Sequence, residues 1–361
     1  MPGIKDVAER AGLSIATVSR ALAGKSNVSA RSRLLANTAA QELGFVPSYQ
    51  ASSLASGRTR NIGLIVPSVD RWYFSSITEG VSTALLDAGY DVTLYNAGYD
   101  SDRRASVLSD FLLRKRIDAA IAVTLVLSDD QLHQLRSVKR PLVCIGGPLA
   151  GSRSIQIDDA RIAAQAVEHL IGLGHTRIGH MTAAPDLDQD FRLPAQRHQA
   201  FAHTMAAAGL EVNPGWVVPA DFTIQGGYSA ARQLLGHGKR PTAVFAASDE
   251  MAIGTILAAR DYGLQVPRDL SVIGIDGHQL GEVFGLTTIA QDPRAQGALA
   301  AGLVLHQLEP EAFPAPPLPR GLAAAPESSP NTTERPATPG ATISYPTTFT
   351  LRTSTAVPQQ T

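Results

Sequence analysis

IKDVAERAGLSIATVSRAL, residues 4–22, decides how this chain is read. Val7, Ala8 and Ala11 fall on one face of a short helix over residues 5–11. Gly12 follows, where a tight turn between helices needs a positive φ. Ser14 is placed to cap a second helix that ends near Leu22. Ala8 is small where the two helices would cross, and Val18 would plug the space between them. Ile15, Ala16, Ser19 and Arg20 are then left on the outer face, in the N-terminal half of a helix shaped for a major groove. These offsets fit a helix-turn-helix, and they also fit a plain helical hairpin. A third helix is expected after Ser29, with Leu35, Ala39 and Leu43 at helical spacing and a stop at Gly44.

Charge separates this head from the rest. The first 60 residues hold eight Lys or Arg against three acids, a net of +5, and the whole chain is −1, which leaves −6 beyond. A basic head on an acidic body suggests a nucleic-acid partner for the head, although a solvated basic face would look the same. At 361 residues the chain exceeds one compact core and fits a small domain plus a body. Its 44% hydrophobic and 17% charged residues are an ordinary globular balance. No apolar run approaches the ~20 residues of a membrane helix, and residues 1–12 carry no apolar core of a secretory signal, so a cytoplasmic protein is expected. The single cysteine, Cys144, sits in the run Leu142, Val143, Cys144, Ile145 and reads as a buried strand residue.

Past Arg60 the pattern becomes strand–helix alternation. Ile62 to Val66 is continuously apolar, as in a strand buried on both faces. Ile77, Val81, Ala84, Leu85 and Ala88 then trace a helix face. Further strands are expected near residues 91–95, 119–125, 141–145, 177–181, 242–246 and 271–275, with Gly89, Gly174, Gly209 and Gly263 near the ends of the helices between them. Repeated βα winding gives parallel sheets covered by helices. Residues 309–342 are rich in Pro, Ala, Ser and Thr without periodicity, and are expected to form a disordered insertion. A strand over residues 347–352 should rejoin the fold. The expected division is a head over 1–47, a linker over 48–60, a body over 61–308, the insertion over 309–342 and a final strand and tail over 343–361.

Enzyme motifs are missing from the sequence. There is no G-x-S-x-G elbow and no H-E-x-x-H metal pair, and Gly238-Lys239 is followed by Arg240 where a phosphate-binding loop needs Ser or Thr. The nine histidines are scattered, and the i,i+5 spacing of His175 and His180 suits no metal-binding helix. Neither catalysis, a metal nor a cofactor is expected.

The full string IKDVAERAGLSIATVSRAL, with VSARSR and ELGFVPS after it, closely resembles the headpiece of the LacI/GalR family of regulators. The A-T-V-S-R core of the second helix is a specific signature. Resemblance runs from residue 4 to about 308 and resumes in TFTLRTSTA, residues 348–356. It implies an all-α headpiece on a two-lobed, periplasmic-binding-protein-like α/β body of doubly wound parallel sheets. It also implies a homodimer that reads a pseudo-palindromic operator in double-stranded DNA and senses a small sugar.

By that resemblance Ile15 and Ala16 occupy the base-choosing positions, where small apolar side chains can pack on thymine methyls. Arg20 can make a bidentate contact to guanine. Ser14 stands at the start of the same helix, and Thr17, Ser19, Asn27, Ser29 and Arg33 are candidates for phosphate contacts. Residues 48–56 are too short for a stable isolated helix. In the family this hinge folds on DNA and places a Leu wedge in the minor groove, which here matches Leu54. Ser52 stands where many relatives carry a basic residue.

In the body, the residues matching the family's ligand positions fall where strands end, the usual place for ligands in such sheets. Tyr73 and Phe74 follow the first strand, Phe222 follows Ala220-Asp221, Asp249 ends FAASD, Asp276 ends VIGID, and Gln291 lies in TTIAQD. Arg197 begins a helix. Carboxylates and Arg suit vicinal hydroxyls, and aromatic faces suit the C–H side of a sugar ring. Asp249 could instead cap the helix beginning at Glu250, and Arg197 could form a surface pair. The motif D-R-W-Y-F departs from the family's commoner N-P-F-F. A transport protein sharing the body fold and a carbohydrate-processing enzyme are the competing classes. The first is disfavoured by the head, the second by the lack of paired acids at credible spacing.

Overall fold

The computed structural model describes residues 2–22, 27–45, 58–98, 100, 102–107, 117–124, 128, 131, 140–147, 151–184, 193–236, 238–319 and 342–359. The chain forms two compact units, one of residues 1–60 with 116–118, the other of residues 61–115 and 119–361.

The first unit holds helices α1 (Ile4–Ala11), α2 (Ile15–Leu22) and α3 (Ala30–Leu43). Gly12 and Gly44 end α1 and α3 at φ of 63° and 61°, each donating back to the last turn. Ser14 accepts from the Thr17 amide at 3.1 Å, and Ser29 from the Ser32 amide at 3.1 Å. Both serines therefore satisfy amides that a helix start leaves open. The core is made of small residues: Val7, Ala8, Val18, Ala21, Ala36, Ala39 and Ala40. Of the face expected for α3, Ala39 is buried and Leu43 half-buried against the core, whereas Leu35 is 41% exposed and its neighbour Ala36 packs inward instead. An all-alanine face lets three short helices approach closely, and a leucine there would hold them apart.

The second unit is built on two sheets. The first has strands β1 (Asn61–Val66), β2 (Asp91–Asn96), β3 (Ala119–Val123), β4 (Leu142–Ile145), β5 (Arg153–Gln156) and β11 (Thr342–Ser344), in the order β11-β5-β4-β3-β1-β2, all parallel. The second has β6 (Ile178–Ala183), β7 (Val217–Ala220), β8 (Ala243–Ala246), β9 (Ser271–Asp276), β10 (Thr287–Ala290) and β12 (Thr348–Thr350), in the order β12-β10-β9-β8-β6-β7. Only the β10–β12 pairing is antiparallel. Helices α4 (Trp72–Asp87) and α10 (Pro293–Leu308) pack on the first sheet; α5 (Asp159–Gly172), α6 (Leu193–Ala207), α7 (Ile224–Leu235) and α8 (Asp249–Asp261) pack on the second, and a single turn, α9 (Leu280–Val283), follows β9. The expected strands are present. β5, β7, β10 and β11, each of three or four residues, had no periodic signal long enough to read.

Because α10 and β11 return to the first lobe after β10, the chain crosses between lobes three times: near 157–158, 291–292 and 345–347. The crossings bring residues distant in sequence to one cleft. Helices α4 and α10 touch through glycines: a Cβ on Gly80 would lie 2.0 Å from the Arg294 carbonyl oxygen, and one on Gly297 2.4 Å from that of Ile77. Any side chain there would force the helices apart.

The expected start of the insertion at 309 is too early. Phe313 packs on the first-lobe core with its ring 6.3 Å from that of Tyr90, and the Tyr90 hydroxyl donates to Glu309 at 2.7 Å. Together with His306 Nδ1, 2.9 Å from the Phe313 carbonyl oxygen, these contacts hold residues 309–313 against the lobe despite the prolines after it. Residues 320–341, most of the expected insertion, and the linker over 46–57 lie outside the described residues. His175 and His180 are structural: His175 bonds Thr242, Ser271 and the Ala356 carbonyl, and burial takes His180 down to about 3. Cys144 is buried beside Ser152, its thiol pushed up to about 11. No helix among the described residues is long and apolar enough to cross a membrane.

Candidate ligand cleft and nucleic-acid face

Between the lobes lies a cleft open to solvent, lined by residues of both. Its floor belongs to the second lobe. Helix α6 carries Arg197, whose Nε and Nη2 both donate to Asp159 Oδ1, at 2.8 and 2.7 Å, and whose Nη1 donates to the Ala247 carbonyl. Asp159 is the first residue of α5, immediately after the first crossing of the chain. The guanidinium is thus fixed at three points, leaving one N–H on each terminal nitrogen for a ligand.

Asp276 ends β9 at a φ of 129°. Its Oδ1 accepts from Gln291 Nε2 at 2.8 Å, and Gln291 Oε1 accepts from Gln296 Nε2 at 3.2 Å. Burial raises the Asp276 carboxyl to about 6, against the pull of Arg197 and the Gln291 bond. Asp159 is raised by burial too, opposed by its bond to Arg197. The Tyr73 hydroxyl is driven up by burial and by Asp276 and Asp159, so it stays a donor at neutral pH. Tyr73, Phe74 and Phe222 give the cleft its aromatic walls. Phe222 sits at a φ of 62°, an uncommon conformation for a bulky residue that functional sites tend to retain.

Six of the seven residues expected from sequence come together here: Tyr73, Phe74, Arg197, Phe222, Asp276 and Gln291. Asp249 does not. It is fully buried, and its carboxylate accepts from the Gly277 and His278 amides at 2.8 and 2.7 Å and from Thr288 Oγ1 at 2.7 Å. Its oxygens are committed to the turn that presents Asp276, so its role is to position that residue. Burial raises it to about 7. Sequence reasoning missed Asp159, Arg71, Glu250, Thr124 and Gln296, which also line the cleft. The pair Asp158-Asp159 after a short strand was the available signal, and Asp158 caps α5 while Asp159 turns inward. Among the described residues no group of three or more His, Cys, Asp or Glu could hold a metal ion.

In the first unit, Val18 and Ala21 of α2 are buried, while Ile15, Ala16, Ser19 and Arg20 are exposed. Ile15 is 46% exposed, an apolar side chain held outward. Ser14 is exposed and Thr17 half-buried, their hydroxyls 2.8 Å apart. Asn27 and Ser29 are exposed before α3, and Arg33 is half-buried within it. Leu54 lies outside the described residues.

Residues 3–48 match the family model described as bacterial regulatory proteins, lacI family, and residues 167–323 match that of a periplasmic binding protein-like domain. The HTH-type transcriptional repressor PurR of Serratia proteamaculans is 34% identical over 314 residues, 85% of this chain and 91% of that protein. Catabolite control protein A of Priestia megaterium is 30% identical, covering 85% and 93%. Among solved structures, a complex of the transcriptional regulator CelR with cellobiose aligns at a TM-score of 0.66 and 26% identity, over 98% of this chain and all of that one.

Proposed function

This chain belongs to the LacI family of bacterial regulatory proteins, DNA-binding transcriptional repressors, and from that premise we propose that it is a cytoplasmic homodimer whose operator affinity is set by a small sugar in the cleft. The observation that carries the sugar is the lining itself: a guanidinium fixed by Asp159, the carboxyl of Asp276 and the Gln291 amide beside Tyr73, Phe74 and Phe222. Bidentate polar groups bind vicinal hydroxyls, and aromatic faces cover the apolar side of a pyranose. The regulated genes would then serve carbohydrate use.

The head supplies the DNA partner. Ile15 and Ala16 face thymine methyls and Arg20 a guanine edge, while Ser14, Thr17, Ser19, Asn27, Ser29 and Arg33 position the backbone. A half-site per head requires two heads, so a two-fold operator needs a dimer, formed through the body. Leu54 is the proposed minor-groove wedge of the linker. Sugar that bridges the lobes would change the spacing of the paired linkers, by no more than its differential affinity for the two states.

The experiment is a gel shift on a pseudo-palindromic duplex, with a panel of sugars and of nucleobases added. The reading expects a specific shift and a sugar that alters it. A nucleobase that alters the shift while every sugar fails would replace the sugar with a planar ligand stacked on the same aromatic rings. Absence of any specific shift would remove the DNA-binding reading.

A further inference from the structure

At the N-terminal ends of β1 and β3, opposite the ends that lead to the cleft, one buried carboxylate holds the end of the linker. The chain passes between its two units at Arg60–Asn61 and again at Asp118–Ala119. Asn61 begins β1 and Ala119 begins β3, and the two strands lie side by side and parallel, with Ile62 opposite Ala119. Asp118, 6% exposed, therefore stands one residue before the strand that neighbours β1. Its Oδ1 accepts from the Thr59 amide at 2.9 Å and the Thr59 hydroxyl at 3.0 Å, and its Oδ2 from the Arg60 amide at 2.8 Å. Bonds to an ionised acceptor are roughly twice as strong as neutral ones.

This carboxylate does for residues 59 and 60 what backbone carbonyls do farther along the ladder. Arg60 sits at a φ of 48°, a conformation that a residue with a side chain keeps only where its surroundings fix it. Its amide is one of the three donors, so the carboxylate fixes the turn as well as the segment. On the other flank, the Asn61 side chain exchanges two hydrogen bonds with Thr93 of β2, at 2.8 and 3.1 Å. The entry to β1 is thus pinned from both neighbouring strands.

In the chain, the linker over residues 46–57 lies between this anchor and the helices of the head. From the anchor, β1 and β3 run toward the cleft. Tyr73 and Phe74 come after β1 and Thr124 directly after β3, and all three line it. Paired strands of five or six residues span ~16–20 Å and move as one piece. A displacement of the first lobe therefore carries Asp118 and the start of β1 together. A linker joined through one free peptide would lose that displacement, whereas one held by three hydrogen bonds follows it.

We propose that Asp118 is a positioning residue for operator binding: by clamping Thr59 and Arg60 it fixes where each linker leaves the body, and so sets the half-site spacing that the dimer accepts. The inference rests on the DNA-binding dimer proposed above. Asp118 acts through the linker and makes no contact with DNA.

Gel shifts of the full chain test it on three duplexes: a pseudo-palindrome selected from a random pool by the wild type, the same duplex with two base pairs inserted at its centre, and a single half-site. The insertion moves one half-site by about 7 Å and turns it by about 70° relative to the other. The wild type should prefer the parent duplex over the inserted one by about a hundredfold or more, because only one head then finds its half-site. Asp118→Asn keeps the size but turns one acceptor into a donor facing a donor. It should narrow that preference about tenfold, the worth of one charge-assisted hydrogen bond. Thr59→Val removes only the hydroxyl donor and should narrow it about threefold, so it reports even if Asp118→Asn misfolds. The single half-site, which reads the head alone, should bind all three proteins alike. A preference unchanged in both variants, half-site binding that falls as far as the preference does, or a wild type that binds the parent and inserted duplexes equally overturns the clamp while leaving the DNA-binding reading intact. A wild type that selects no duplex overturns that reading and the clamp with it.

Discussion

Two arginine–carboxylate pairs of almost equal length stand in opposite surroundings. Arg10 and Glu42 meet at 2.6 Å on the surface of the head, with their side chains 59% and 46% exposed. Arg197 and Asp159 meet at 2.7 Å in the body, 6% and 3% exposed. The head presents its chemistry on solvated side chains over a small core of alanines, so its partner must supply the ordering. The body buries its charges and orders them before any ligand arrives. A DNA backbone rewards the first arrangement, because long-range attraction needs no fixed geometry. Discriminating one small polyol from another needs the second, because unpaired buried groups penalise the wrong ligand.

That contrast predicts its own largest effect. Arg197→Ala leaves Asp159 buried and uncompensated, and should cost the body roughly 3–5 kcal/mol in urea unfolding. Arg10→Ala should cost the head less than about 1 kcal/mol. Equal losses would erase the distinction between the two regions.

The next effect belongs to the head alone. Arg20→Ala should weaken operator binding by about 1–3 kcal/mol through loss of a guanine contact, with much less change on random DNA. Titrations on both duplexes decide it, since equal losses would make Arg20 a phosphate anchor. Smaller again, Ser29→Ala removes the side-chain cap of α3 and should lower head stability by about 1 kcal/mol. A thermal melt that leaves the head transition in place would show that the cap is replaced by solvent.

The head and the cleft were not equally legible. In the head the decisive relations span a few residues: Gly12 turns, Ser14 caps and Val18 points inward, all within one stretch of sequence. In the cleft Asp159 carries only the weak signal of the Asp158-Asp159 pair, because β5, the strand leading to it, has four residues and two buried positions. Asp249 reads from sequence as either a ligand residue or a helix cap, because a carboxylate after a strand looks the same whether it faces the cleft or a turn. Only the packing of Gly277, His278 and Thr288 around it decides between them. The lobe crossings that gather Asp159 and Gln291 depend on strand order, which alternation does not encode.

A separate effect is set by pH. The Glu250 carboxyl is raised from its ordinary 4.5 to about 7 by burial. The folded body therefore holds a proton that the unfolded chain releases, so this group lowers stability as pH rises from about 4.5 to 7. Glu250→Gln should flatten that part of the profile. Melting temperatures that fall equally in both proteins across that range would place the pH dependence on other groups.

A ligand seated on Asp276 should control DNA binding by the head. That control is tested by titrating the cognate sugar into operator complexes of the wild type and of Asp276→Ala. The wild type should shift its operator affinity by about 1–3 kcal/mol, while Asp276→Ala should give no response and keep nearly the same affinity without sugar. An Asp276→Ala protein that answers the sugar with undiminished sensitivity would contradict it.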